Sequence, residues 1–143
     1  MPETSFPTVR QVVLDTTDAR RLAEFYRELV GFEYREGDEP PQAGQPDERG
    51  RDWLVLLDPG GRMGLAFQQV GMLRRTTWPE DGIPQQLHLD MSVTSADELA
   101  TQHRRAVELG ARLLYDRSDD EEEPLRVYAD PDGHPFCIFV APG

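Results

Sequence analysis

The 143-residue chain has no lysine and a single cysteine, Cys137. Without lysine there is no side-chain amine for a Schiff base. One cysteine excludes an intrachain disulfide, which fits a reducing cytoplasm. No apolar run approaches the ~20 residues of a membrane span. The amino terminus, Met1–Phe6, lacks the basic and apolar regions of a signal peptide. Basic residues are also scarce: 15 against 27 acidic ones, giving a net charge of −12 and a pI near 4.6. Such a surface cannot replace phosphate counterions, so nucleic acid is excluded as a partner. Binding to an anionic membrane is disfavoured for the same reason. What is present is a hydrophobic fraction of 38%, arranged too periodically for a disordered chain. The length fits one domain, or two small units sharing a core.

Residues 9–15 alternate weakly and are rich in valine, which predicts a strand. Thr17 or Asp18 can cap a helix whose apolar face is Leu22, Phe25, Tyr26, Leu29 and Val30, and Gly31 can end it. Phe32–Tyr34, Trp53–Leu57 and residues 63–70 read as further strands. Residues 36–51 read as a loop and Asp58–Gly61 as a turn. Residues 71–85 read as a linker. The order then repeats. His88–Val93 is a strand, and Ser95 with Glu98 fits a capping box. Leu99, His103, Ala106 and Val107 form an inner helix face that ends at Gly110. Strands follow at 111–115, 125–129 and 136–140. The five consecutive acids Asp119–Glu123 read as a solvated loop.

Landmarks recur. Gln11 matches His88 and Gly31 matches Gly110, each pair roughly 80 residues apart. Asp58-Pro59 matches Asp130-Pro131 at a slightly shorter separation. Two copies of a β-α-β-β-β unit are therefore expected, with Gln11 and His88 in equivalent positions. Neither copy can bury its sheet alone, so the two must pair within a chain or across a dimer.

The stretches Gln11–Asp15, Leu22–Phe32 and Asp130–Cys137 resemble the vicinal oxygen chelate superfamily, which includes glyoxalase I, bleomycin-resistance proteins and extradiol dioxygenases. Trp78-Pro79 followed by Pro84–Asp90 resembles its glyoxalase-like branch. The resemblance covers residues 9–141, with modules of about 9–70 and 86–141. It implies an α+β fold: tandem βαβββ modules forming a half-open, eight-stranded, barrel-like sheet, commonly in a homodimer. It also implies a cavity holding a small molecule or a divalent metal. Metal-using members take one ligand from the first strand and one from the last strand of each module. Gln11 and His88 are then the candidate metal ligands from the first strands.

The last strands disagree. Neither 63–70 nor 134–140 contains a carboxylate, and Cys137 stands where the superfamily has its glutamate. Hard cations need oxygen donors, so the expectation is a metal-independent cavity with no cofactor; a divalent metal is the alternative. Leu65 is the repeat-matched position on the earlier strand, and alternation puts Phe67 and Gln69 on its face. The candidate ligand-binding residues are Gln11, His88, Trp53, Phe67, Gln69 and Cys137. His88 is also the candidate general base, since imidazole titrates near neutrality. Asp90, two residues on, either orients it or sits at the rim. Cys137 lies in an apolar setting that makes a thiol inert. Trp78 could cover a cavity mouth, meet a second copy or cap exposed sheet. Arg10, Arg62 and Arg74 could make a cavity locally positive. Three functions follow: a small-molecule binder that sequesters a hydrophobic or aromatic compound, as the resemblance to resistance-type members implies; a metal-dependent glyoxalase- or dioxygenase-like enzyme; or a metal-free isomerase or lyase using His88.

Overall fold

The computed structural model describes residues 6–141. Met1–Ser5, most of the stretch tested above for a leader, lies outside the described residues. Eight strands and two helices follow in the order β-α-β-β-β, twice. Strand β1 (Gln11–Thr16) leads into helix α1 (Ala19–Val30). The Asp18 side chain accepts a hydrogen bond from the Arg21 N–H and so caps the helix. Gly31 ends it at φ 73°, a left-handed conformation that costs glycine little. Strands β2 (Glu33–Tyr34), β3 (Trp53–Leu57) and β4 (Gly64–Gln69) complete the first module. The second contains β5 (Leu89–Val93), α2 (Ala96–Leu109), β6 (Arg112–Arg117), β7 (Leu125–Ala129) and β8 (Pro135–Val140). Ser95 caps α2 by accepting from the Glu98 N–H, and Gly110 closes it.

Each module forms its own four-stranded sheet, ordered β1-β4-β3-β2 and β5-β8-β7-β6. In each, the first strand runs parallel to the last and the other pairs are antiparallel. The result is an α+β fold of two open sheets, with no closed barrel.

The modules share one core, and α1 joins them. Its face of Leu22, Phe25, Tyr26 and Leu29 is buried. The Tyr26 ring stacks on Phe67 of β4 at 5.9 Å between centroids, and Phe25 meets Phe136 of β8 at 6.0 Å. Phe136 in turn stacks on Tyr128 of β7 at 5.1 Å. Burial of each such side chain stabilises the fold by about 1.5–3 kcal/mol relative to exposure.

Buried hydrogen bonds reinforce this joint. Tyr26 Oη donates to Asp130 at 2.7 Å, and Thr16 Oγ1 donates to Asp132 at 2.6 Å. Asp130 also accepts from the backbone N–H groups of Asp132 and His134. Arg21 pairs with the second oxygen of Asp132 at 2.9 Å. A second buried acid, Asp38, accepts from the Val55 N–H and pairs with Arg35 and Arg49, which pins the long loop to β3. On α2, Leu99 and Ala106 are buried but Val107 is 47% exposed. That helix buries a narrower stripe than its sequence pattern predicts, and His103 turns its ring to the Tyr128 hydroxyl, 2.8 Å away. Among the described residues no helix is long and apolar enough to cross a membrane.

Candidate functional site

Strand alternation decides which side chains reach the open face of each sheet. In the first sheet Leu14, Leu54, Leu56, Leu65 and Phe67 belong to the core beneath the helices. The intervening residues face the other way. Gln11, Val13 and Asp15 of β1 therefore share the open face with Trp53 of β3. Register places Gln11 opposite Gly64, Val13 opposite Ala66 and Trp53 opposite Gln68.

Phe67 and Gln69 lie on the opposite face from that expected of ligand-binding residues. Phe67 is fully buried against Tyr26. Gln69 accepts from the Ala19 N–H at 2.9 Å and donates to the Thr17 carbonyl, which clamps the β1–α1 connection. Its amide serves one of the unpaired donors at the start of α1. The repeat-matched residue Leu65 belongs to the core, and alternation carries Phe67 and Gln69 there with it.

In the second sheet His88 immediately precedes β5, and Asp90 pairs in register with Cys137 of β8. His88 Nε2 is 3.3 Å from Asp90 Oδ1. Donor atoms of His88, Asp90 and Cys137 all lie within 4.8 Å of one another. The Trp78 indole stacks nearly parallel on the His88 ring, with 5.9 Å between centroids and 9° between planes. Burial, with Asp90 close by, pushes the Cys137 thiol up to about 11. The carboxylate of this cluster thus comes from β5, not from the last strand. The i, i+2 spacing of His88 and Asp90 was the sequence signal for it.

This donor set bears on the metal the superfamily implies. One carboxylate, one imidazole and one thiol do not meet the oxygen-rich requirement of Mg²⁺ or Mn²⁺. They do match the N, O and S ligands of zinc in number and kind.

A separate cavity of about 310 Å³ opens where β1 and β4 meet the linker and the turn before β8. Val13, Leu73, Leu87 and Pro135 supply apolar walls, with Arg74 and Gln85 among its polar groups. Gln11, Trp53, His88 and Cys137 do not line it. His134 does, and its Nδ1 sits 2.8 Å from Asp130 Oδ2. Burial opposes the charged imidazole, but the Asp130 carboxylate outweighs it and the His134 pKa lies above its ordinary value. Nothing in the sequence pattern singles out His134 or this cavity. The linker's Pro and Gly content marks a connector but not what it covers.

Residues 11–139 match the family model of the glyoxalase-like domain. The chain belongs to that family, within the vicinal oxygen chelate superfamily. Its fold is similar to a glyoxalase/dioxygenase from Nostoc punctiforme, with a TM-score of 0.68 and 18% identity over 100% of this chain and 99% of the other. It is similar to a glyoxalase/bleomycin resistance protein/dioxygenase family enzyme from Burkholderia phytofirmans PsJN, with a TM-score of 0.67 and 17% identity over 94% and 98% of the two chains. A third similar structure is a mutant of the fosfomycin resistance protein FosX from Listeria monocytogenes, complexed with Mn(II) and 1S,2S-dihydroxypropylphosphonic acid. Its TM-score is 0.66 and its identity 15%, covering 96% of this chain and 94% of that one. No curated protein matches the sequence.

Proposed function

We propose that the protein is a metal-independent binder of a small hydrophobic or aromatic compound, acting by sequestration. The supporting observation is the stack of Trp78 on His88, which sets a flat aromatic surface beside a hydrogen-bonding imidazole on the open face of the second sheet. Aromatic faces of this kind hold planar ligands by offset stacking, and a few polar groups fix their orientation. Gln11 and Trp53 would supply contacts from the first sheet, His88 and Cys137 from the second. We read the assembly as a cytoplasmic homodimer, because the single cysteine suits a reducing compartment and members of the superfamily commonly pair.

Titration of tryptophan fluorescence against a panel of planar aromatic compounds, with chelator present, tests this reading. Saturable binding that weakens at least tenfold in His88→Ala and Trp78→Ala supports it. Binding that appears only on adding a divalent metal overturns it. Light scattering on the eluting protein reports the oligomer, and a monomer at micromolar concentration refutes the dimer.

A second reading rests on the His88, Asp90 and Cys137 donors. They would hold zinc with three protein ligands, leaving an open position for water, the arrangement of catalytic zinc sites. Stoichiometric zinc in protein purified without chelator, lost in both His88→Ala and Cys137→Ser, would favour this reading over the first.

A further inference from the structure

We infer that the ligand of the proposed site is a planar aromatic acid with a single negative charge, and that Arg112 on β6 selects it. The inference rests on the aromatic-binding reading of the second sheet's open face. It starts from a bulge. Leu113 pairs with Tyr128, and Tyr115 with the adjacent Val127, so β6 carries one extra residue, Leu114. Simple alternation would put Arg112 and Tyr115 on opposite faces. The bulge puts both on the open face. Tyr115 stands opposite Val127, Val127 opposite Cys137, and Cys137 opposite Asp90, in one row across the sheet. In the next row Arg112 stands opposite Ala129, and Ala129 opposite Pro135. The parallel pairing of Leu89 with Phe136 sets His88 beside Pro135 in that same row.

Trp78 belongs to both parts of this face. Its indole stacks on His88, and it lines a cavity of about 450 Å³ with Arg112, Leu114, Tyr115 and Ala129. Trp78, Tyr115 and Leu114 give a flat ring its apolar walls. The volume holds a molecule of one or two rings. The polar groups choose the substituent. Thr76 and Thr77 also line the cavity, but their hydroxyls already donate to backbone carbonyls of the same linker. Arg112 is exposed and forms no ion pair among the described residues. Its guanidinium is therefore free to take a carboxylate through two parallel N–H donors. Glu80 is the cavity's one acid, and it too is exposed. In a chain of net charge −12 it opposes a second negative charge on the ligand. This favours a carboxylate over a doubly charged phosphate.

2-Naphthoate and its neutral isostere 2-naphthamide separate the charge from the ring. Binding of each to the full chain, with chelator present, is measured by calorimetry and placed by amide shifts of ¹⁵N-labelled protein. The acid should bind about tenfold tighter, against the repulsion of the chain's net charge, as one charge-assisted pair allows. The largest shifts should fall at Trp78, Arg112 and Tyr115. Arg112→Gln should bring the two affinities together, and Glu80→Gln should tighten the acid. Arg104→Gln removes the same charge from α2, on the other side of the sheet, and should leave the preference intact. Equal binding of acid and amide by the wild type overturns the inference, whether or not Arg112→Gln folds, and leaves the proposed aromatic binding standing. Failure of both to bind at millimolar concentration overturns the two together. A preference that survives Arg112→Gln, or falls equally in Arg104→Gln, removes Arg112 from the site.

Discussion

Thr16, the last residue of β1, donates a 2.6 Å hydrogen bond to Asp132 in the turn before β8, 116 residues further along the chain. Both are buried, so the bond ties the first strand of one module to the last strand of the other. Thr16→Val keeps the shape but removes both the donor to Asp132 and the acceptor of the Asp18 N–H. Asp132 retains Arg21 but loses its buried partner. We expect a loss of about 1–3 kcal/mol in urea unfolding, the cost of leaving one buried acceptor unmade. The neighbouring Thr17 is exposed, and Thr17→Val should stay within about 0.5 kcal/mol. Equal effects at the two sites would remove the inter-module role given to Thr16.

His134 gives this joint a pH dependence. Its pKa is raised in the folded state, with Asp130 overcoming the effect of burial. The folded protein therefore holds the His134 proton more tightly than the unfolded chain does. Stability from this pair is fully present below the unfolded histidine pKa, about 6.5. It is lost as pH rises through the higher folded value. Thermal unfolding between pH 6 and pH 9 should show a midpoint that falls with rising pH. His134→Gln should flatten that slope. A slope unchanged in the variant would assign it to other groups.

Much of this fold was legible because its signals are local. Asp18, Ser95, Gly31 and Gly110 mark the helix ends through their own backbone chemistry, and the structure uses all four. The repeat spacing and the periodic face of α1 defined two modules around one helix-backed core. The face of each β4 residue was not legible in the same way. A two-residue alternation gives the pairing of faces but not which face meets the helices, and here the aromatic core around Tyr26 decides it. The roles of Asp130 and Asp132 were hidden for a different reason. Asp-Pro-Asp-Gly describes an exposed turn equally well. Only the tertiary approach of Tyr26 and Thr16 makes its acids buried acceptors.

Gln69 separates a structural from a ligand-binding role. Its amide bridges the Ala19 N–H and the Thr17 carbonyl at the start of α1. Gln69→Leu should cost about 1–2 kcal/mol through the two lost bonds and the uncapped helix start. Affinity for aromatic compounds should not change, because the side chain points away from the open face. Circular dichroism melts and a fluorescence titration on the same variant give both readouts. A loss of affinity without a loss of stability would return Gln69 to the binding surface.

Cys137 distinguishes the two readings of the His88 cluster without any knowledge of the ligand. Its thiol is pushed up to about 11 from 9.0, mainly by burial and further by Asp90. Two pKa units reduce the thiolate fraction at neutral pH about a hundredfold, and the thiolate is the reactive species. In metal-free protein, alkylation by iodoacetamide at pH 7.5 should therefore be about a hundredfold slower than for a free cysteine peptide. Rates should climb tenfold per pH unit until well above pH 9. Asp90→Asn removes the nearby negative charge and should speed the reaction severalfold at fixed pH. Zinc at the site would displace the thiol proton and bind the sulfur directly. Added zinc should then protect Cys137 at stoichiometric concentration and release about one proton per ion bound. If zinc changes neither the alkylation rate nor the proton count, the cluster is a set of hydrogen-bonding groups on a ligand surface. The proposed metal-independent binding then keeps its place.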